Sequence, residues 1–338
     1  MKSIVFFDIK DYEQDYFTTN FSDKCNLIFS QDSLLENTPI KDEMLNAEIL
    51  SVFTSSRVTK NVIDQFENLK LIATRSVGFS HIDTEYCKEK GIRVVNTPHY
   101  GDYTVAEYSF GLLLSLMRQI PKASNDMKQE RLEDSYTGME LFGKTIGIMG
   151  TGGIGSKAVK IAAGFSMNIL AFDLYPNKEL EEKYGVKYVS FDELIKNSDV
   201  ISLYLALTQN NYHLISDEAF NNMKSGVVIV NAARGEIINT EALYSNLLNG
   251  KVRGAAIDVI ECEEKFMKGC NKIDASECGD ISCLRKVLLN HKLMNLENVI
   301  ITPHIAFDTK DAVSRILDIT NDNIVAFLNN LNIENRVV

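Results

Sequence analysis

Three stretches in the second half of this 338-residue chain carry residue types that bind anions and exchange protons. They are VIVNAARGEIINTEAL with Arg234, GAAIDVIECEE with Asp258 and Glu263, and VIITPHIAF with His304. An arginine offers a planar fork of donors to an anion, and an imidazole changes charge near neutral pH. Taken singly, each has a plainer reading. A lone arginine beyond a strand is usually a surface ion partner, and a lone histidine is usually a satisfied structural residue. Each of these stretches, however, begins with an apolar run that reads as a buried strand. Ligands of open α/β sheets gather at the carboxyl ends of the strands, so three polar groups at such ends suggest one site.

A fourth stretch, KTIGIMGTGGIGSKAVKIAAGFSMNILAFD, places Gly150, Gly152 and Gly155 in a G-x-G-x-x-G array, with Gly153 and Ile154 inside it. An apolar strand pattern precedes the glycines, a helical pattern follows, and a second strand pattern ends in Asp173, 18 residues after Gly155. In that context Gly150 permits a tight turn, Gly152 lets a pyrophosphate approach the backbone, and Gly155 lets the helix pack close to the sheet. The helix N-terminus offers unpaired N–H groups and partial positive charge to phosphates. Asp173 can accept hydrogen bonds from both ribose hydroxyls and would repel a 2′-phosphate, and Leu174 and Tyr175 supply no cation to hold one. The array therefore favours NAD over NADP. A flavin could use the same loop, but its mid-chain position argues against that.

The elements that must hold these residues are legible as short apolar runs alternating with helical patterns. Strands are expected at 3–7, 27–29, 71–74 and 93–95, with helices at 59–69 and 84–90. A long buried helix is expected at 103–118. A polar, weakly patterned segment at 119–144 follows it, either an arm for a partner subunit or solvated surface. A second series then predicts strands at 145–149, 168–172, 200–203, 227–230, 254–259 and 299–301, helices at 154–164, 191–197, 217–223 and 240–248, and a last helix at 308–329. This alternation is the pattern of parallel sheets covered by helices. A hydrophobic content of 45%, a charged content of 24% and a net charge of −11 fit a globular protein and argue against nucleic acid or an anionic membrane as the main partner. No apolar run is long enough to span a bilayer, and the N-terminus reads as a first strand rather than a signal peptide. Six spread cysteines do not form a disulfide framework, and the expectation is a reducing cytoplasm.

With TRSVGFSHID at 74–83 and NTPHYGDYTVAEYSFGLLL at 96–114 added to these motifs, the chain resembles the D-isomer-specific 2-hydroxyacid dehydrogenases from about residue 69 to 327. The long segment between Glu263 and His304 and the run TPHIAFDT resemble the D-lactate dehydrogenase branch, which includes the vancomycin-resistance dehydrogenases. The resemblance implies an α/β fold of two Rossmann-like domains. Residues 1–101 and 303–338 would form a discontinuous flavodoxin-like substrate domain, and 102–302 an inserted doubly wound NAD-binding domain. It implies a homodimer and reduction of a 2-keto acid by NADH. It also implies His304 as proton donor and acceptor, Glu263 as partner of its ring, and Arg234 as binder of the substrate carboxylate. Backbone N–H groups of Val77 and Gly78 would complete the carboxylate cradle. Tyr100 and Phe307 would line the substrate pocket, and Asp258 would hold the nicotinamide carboxamide, with Ala233 also on the cofactor. His81 and His99 are expected as loop or cleft-rim residues, and Glu261 and Glu264 as solvated charge.

Two features depart from the family. The Leu-His-Val-Pro-like run after the fourth strand of the NAD domain is here LYLALT, with Tyr204, Leu205 and Ala206, so weaker or altered NAD affinity is expected. Cys262, Cys270, Cys278 and Cys283 fall within 22 residues, but zinc sites pair thiolates at C-x₂₋₄-C, and no metal is expected. Two other functions fit the same motifs: a dehydrogenase for branched-chain or aromatic 2-keto acids, and an NAD-sensing binding protein resembling the corepressors of this fold.

Overall fold

The computed structural model describes residues 1–267 and 281–338, with the side chain of Glu264 excepted. Cys270, Cys278 and the expectation for Glu264 therefore lie outside the described residues. The chain divides into two compact units, Met1–Tyr100 with Thr309–Val338, and Gly101–Asp308.

The first unit is built on strands β1 (Lys2–Phe6), β2 (Cys25–Phe29), β3 (Ile49–Val52), β4 (Leu71–Thr74) and β5 (Arg93–Val95). Their order is β2-β1-β3-β4-β5, and every pairing is parallel. The central strands are largely apolar because both faces are covered. Ile4 and Phe6 face Phe17, Phe21, Leu317, Ile324 and Phe327 from helices Asp11–Phe21 and Lys310–Leu328. Val5 and Phe7 fall in the opposite core with Met44, Val62 and Ile63. The alternation follows from the two-residue side-chain period of a strand. The 59–69 pattern yields only the short helix Lys60–Ile63.

The second unit holds β6 (Thr145–Met149), β7 (Asn168–Phe172), β8 (Lys187–Tyr188), β9 (Val200–Leu203), β10 (Val227–Asn231), β11 (Val252–Ile257) and β12 (Val299–Ile301). Their order is β12-β11-β10-β9-β6-β7-β8, again parallel. The chain winds outward from β6 to β8, then restarts at β9 and winds the other way. The switch between β6 and β9 is where such sheets open a crevice at their carboxyl ends. Helices Asp102–Met117 and Gly153–Gly164 cover one face, with Phe110, Leu113, Ala158 and Val159 buried against Ile146 and Ile148. Helices Phe191–Asn197, Asp217–Asn222 and Thr240–Leu248 cover the other.

The polar segment after residue 118 opens with a helix, Ile120–Lys128, whose first turn carries Pro121, a position where the missing N–H costs nothing. The second boundary between the units falls at 308/309, later than the sequence expectation of 302/303. The reason is local: Thr302, His304, Ile305 and Ala306 all donate hydrogen bonds to Asp258, which ties that segment to the second unit. Among the described residues no helix is long and apolar enough to cross a membrane.

Candidate active site

The glycine array lies between β6 and helix Gly153–Gly164, as its spacing implied. Gly150 has φ +90°, a conformation that side chains rarely adopt, and a Cβ there would stand 2.9 Å from the backbone of Tyr204. A Cβ on Gly155 would stand 1.9 Å from the Gly150 carbonyl oxygen, so the helix can approach the loop only with glycine at that place. A Cβ on Gly152 would meet nothing within 4 Å. The loop is thus tight on its protein side and open above Gly152, the cradle a pyrophosphate needs at a helix N-terminus.

Asp173 directly follows β7. Its Oδ2 accepts from Thr151 N at 2.6 Å and Thr151 Oγ1 at 3.0 Å, and its Oδ1 accepts from Tyr175 N at 2.9 Å. Because a carboxylate only accepts, Thr151 Oγ1 must donate to it, and the Tyr188 hydroxyl at 2.9 Å must then donate to Thr151. The side chains of Leu174 and Tyr175 are 81% and 85% exposed, so neither stands as a partner beside a ribose phosphate. These residues fit NAD. Tyr204, in the LYLALT run, lies directly under the glycine loop and accepts a hydrogen bond from Ser202 at 2.9 Å.

Arg234, the Asp258–Glu263 loop and His304 follow β10, β11 and β12, three neighbours in the sheet. His304 Nδ1 lies 2.7 Å from Glu263 Oε1, with both side chains partly exposed. An ionised Glu263 fixes the proton on Nδ1 and leaves Nε2 as the ring's free working atom. Asp258 is 1% exposed, and its Oδ1 accepts from Thr302 Oγ1 at 2.5 Å and Ile305 N at 3.0 Å, while Oδ2 accepts from Ala306 N at 2.8 Å. Burial pushes its carboxyl up, only partly offset by those donors and His304. Asp258 is thus the post that holds the loop bearing His304, which itself has φ +54°. Arg234 is exposed, and its Nη1 donates to the adjacent Ala233 carbonyl at 2.6 Å; Ala233 is buried. Ala233 N is held in turn by Asn231 Oδ1 at 3.0 Å.

In the first unit, Val77 is exposed and Gly78 half-buried. The Val77 carbonyl accepts from Asn96 Nδ2 at 2.8 Å, and the Gly78 carbonyl accepts from Ser76 Oγ at 2.7 Å. In a trans peptide the N–H opposes the C=O, so the Asn96 contact also sets the direction of the Gly78 N–H. Tyr100 is buried and its carbonyl accepts from Arg315 Nε at 2.7 Å; Phe307 is half-buried.

Two sequence readings need correction. His81 is no rim residue: it is 6% exposed, and burial, with Arg57 nearby, pushes its imidazole down to about 4. Its Nε2 lies 3.1 Å from Thr74 Oγ1. Glu261 is not solvated but 1% exposed, with donors on both carboxylate oxygens. The helix Ile281–Leu293 that supplies one of them was not expected. Cys262 and Cys283 are side by side, and burial with that neighbour pushes the Cys262 thiol up to about 12. Among the described residues no three His, Cys, Asp or Glu side chains group as a metal would require.

The family model for the NAD-binding domain of D-isomer-specific 2-hydroxyacid dehydrogenases matches residues 110–306. The chain is 38% identical over 281 residues to hydroxypyruvate reductase of Thermotoga maritima, covering 82% of this chain and 84% of that protein. It is 36% identical to aromatic 2-oxoacid reductase of Clostridium sporogenes, covering 82% of each. It superposes with a TM-score of 0.85 on the D-lactate dehydrogenase of Aquifex aeolicus, solved with NAD and lactic acid, at 35% identity over 97% of this chain and 96% of that one. A doubly wound sheet with this cradle defines a dinucleotide-binding oxidoreductase. The chain belongs to the D-isomer-specific 2-hydroxyacid dehydrogenase family, and its cofactor is NAD.

Proposed function

We propose that the chain is a D-lactate dehydrogenase, interconverting pyruvate and D-lactate. The observation that carries the reading is the His304–Glu263 pair, 2.7 Å apart, on the loops after β11 and β12. The nearness of the chain to the Aquifex aeolicus enzyme supports lactate as the product.

NADH, when bound, would supply a hydride to the keto carbon. Gly150, Gly152, Gly153, Ile154 and Gly155 would hold its pyrophosphate, Asp173 its ribose and Ala233 its nicotinamide end. Asp258, expected from the resemblance to hold the carboxamide, is instead buried with both carboxylate oxygens bonded to the His304 loop. His304 Nε2 gives a proton to the carbonyl oxygen and recovers it in the oxidative direction. Glu263 holds the ring by Nδ1 and stabilises its cationic form. Arg234 exchanges its 2.6 Å hydrogen bond to the Ala233 carbonyl for the substrate carboxylate, to which it presents its fork. The family resemblance assigns Val77, Gly78, Tyr100 and Phe307 to the substrate as well.

A second reading, a reductase for larger 2-keto acids, is favoured by the similarity to aromatic 2-oxoacid reductase. One methylene in an apolar pocket is worth only about 1–3 kcal/mol, so the two substrates overlap. The test is kcat/KM for pyruvate, a branched-chain 2-keto acid and phenylpyruvate, each with NADH and NADPH. Pyruvate with NADH is expected to rank first. A higher value for phenylpyruvate replaces the first reading by the second, and no NADH oxidation with any of them removes both, leaving the NAD-sensing protein.

We also propose a homodimer in the cytoplasm. Ile120, Met127, Leu132 and Phe142, between 53% and 73% exposed, give the segment after Arg118 apolar surface for a second copy. Cys25, Cys87, Cys262 and Cys283 are free thiols, as in a reducing compartment. Sedimentation of the purified protein tests the first point.

A further inference from the structure

Glu261 lies two residues before Glu263 and is 1% exposed. Its Oε1 accepts from Lys286 Nζ at 2.6 Å and His213 Nε2 at 2.8 Å. Its Oε2 accepts from Thr240 N at 3.0 Å and Thr240 Oγ1 at 2.6 Å, and its backbone carbonyl accepts from Asn290 Nδ2 at 2.8 Å. Burial alone would push this carboxyl up; the donors from His213, Lys286 and Thr240 outweigh burial and hold it down.

The state of His213 follows from its second neighbour. Asn239 Oδ1 caps a helix by accepting from Ala242 N at 2.9 Å, so its amide nitrogen is the group 3.1 Å from His213 Nδ1. That nitrogen donates, so His213 Nδ1 accepts, and the single ring proton sits on Nε2, aimed at Glu261. The charged pair is therefore the buried Glu261 carboxylate and the partly exposed Lys286 ammonium.

The network touches both halves of the proposed chemistry. Gly235, directly after Arg234, has no room for a side chain: a Cβ would stand 2.1 Å from the carbonyl carbon of Ile260 and 2.5 Å from Glu261 N. The turn from Arg234 to Thr240 is further tied down by His213 N donating to the Glu236 carbonyl at 2.9 Å and Ile215 N to that of Ile237 at 3.0 Å. The path thus runs from Arg234 through Gly235 to the backbone of Ile260 and Glu261, then through Cys262 to Glu263 and His304.

We propose that Glu261 is a positioning residue, whose buried carboxylate locks the turn carrying Arg234 to the loop carrying Glu263. The proposal rests on the assignment of Arg234, Glu263 and His304 made above. Misplacing reacting groups by about 1 Å can cost about a hundredfold in rate, so a small shift in this loop is measurable.

The experiment compares the parent with E261Q, E261Q/K286M and, alongside, H304N and E263Q, using pyruvate and NADH. A glutamine must turn an N–H₂ toward donors, so the loop shifts. E261Q is expected to lose about 10- to 100-fold in kcat/KM, divided between a raised KM and a lowered kcat, with the NADH Kd within about threefold of the parent. E261Q/K286M, which removes the orphaned ammonium, is expected to regain thermal stability but not kcat/KM. Parental kcat/KM in E261Q, or recovery of both quantities in the double variant, overturns the proposal, because the carboxylate then serves stability alone. Should E261Q not fold, T240V, which deletes one donor, carries the test through the same KM and kcat split. Parental turnover in H304N and E263Q would instead defeat the underlying assignment, whatever E261Q does.

Discussion

After β6 the atoms that prepare for a ligand are backbone atoms. The Gly150–Gly155 loop is open where Gly152 faces outward and closed where Gly155 meets the Gly150 carbonyl. After β11 they are side chains. Asp258 holds the His304 loop, Glu261 fills a closed pocket of donors, and Glu263 alone remains partly exposed beside an imidazole. The two loops end strands of one parallel sheet. One accommodates a ligand by omitting side chains, and the other ranks three acids by how completely their acceptor sites are occupied. A carboxylate with all its partners inside the protein is scaffolding; one with a single partner and an open side can act on something else.

The contrast can be broken at its most sensitive point by H304N. General acid–base catalysis contributes about 10²–10⁴-fold, so kcat should fall by that order in stopped-flow turnover, while fluorescence titration gives a parental NADH Kd. A fall in NADH affinity of the same size would mean that the two loops do not divide the work. G155A attacks the other loop. Its Cβ would collide with a backbone oxygen, and overpacking of this kind costs about 1–3 kcal/mol, read as a lower Tm and weaker NADH binding. Unchanged values for both would deny the close approach. D173A is smaller in effect. Loss of charge-assisted hydrogen bonds worth about 1.5–3 kcal/mol should reduce the NADH preference over NADPH by about tenfold or more, and an intact preference would remove Asp173 from the ribose.

The smallest effect is a pH dependence. Glu261 is held below its ordinary value and Lys286 above its own, the ammonium through Glu261 and Tyr212 despite burial. The stability from Glu261 is present above about pH 4.3 and is lost as pH falls through its depressed value. That from Lys286 is present below about pH 10.4 and is lost as pH rises through its elevated value. The Tm difference between parent and E261Q/K286M should therefore be level from about pH 5 to about pH 10 and shift only outside that range.

These regions also differ in how far the chain discloses them. G-x-G-x-x-G followed by Asp173 states a geometry, because glycine spacing is itself the absence of side chains, and the six strands that lead to the site's loops were legible from their apolar runs. The ranking of Glu261 over Glu263 for burial was not legible. It depends on His213, Thr240 and Lys286, which lie up to 48 residues away along the chain and meet Glu261 only once the sheet has assembled. Strand β3 escaped notice inside AEILSVF because it is four residues long with Ser51 in it, and that serine is buried because Arg75 Nη1 donates to it at 2.9 Å. The short edge strand β8, two residues with Lys187 exposed, carries almost no pattern at all.

The first unit draws its residues from both ends of the chain, and this bears on synthesis. Leu317, Ile324, Phe327 and Ile333 complete the apolar layer over Ile4, Phe6, Leu71 and Ala73, and Val95 bridges to Arg336. On a ribosome adding about 5–20 residues per second, the sheet made first waits for roughly 200 further residues, or about 10–40 s, with one greasy face uncovered. The inserted unit can finish folding in that interval. A nascent chain stalled before Lys310 should therefore be captured by hydrophobic-binding chaperones through its earliest hundred residues.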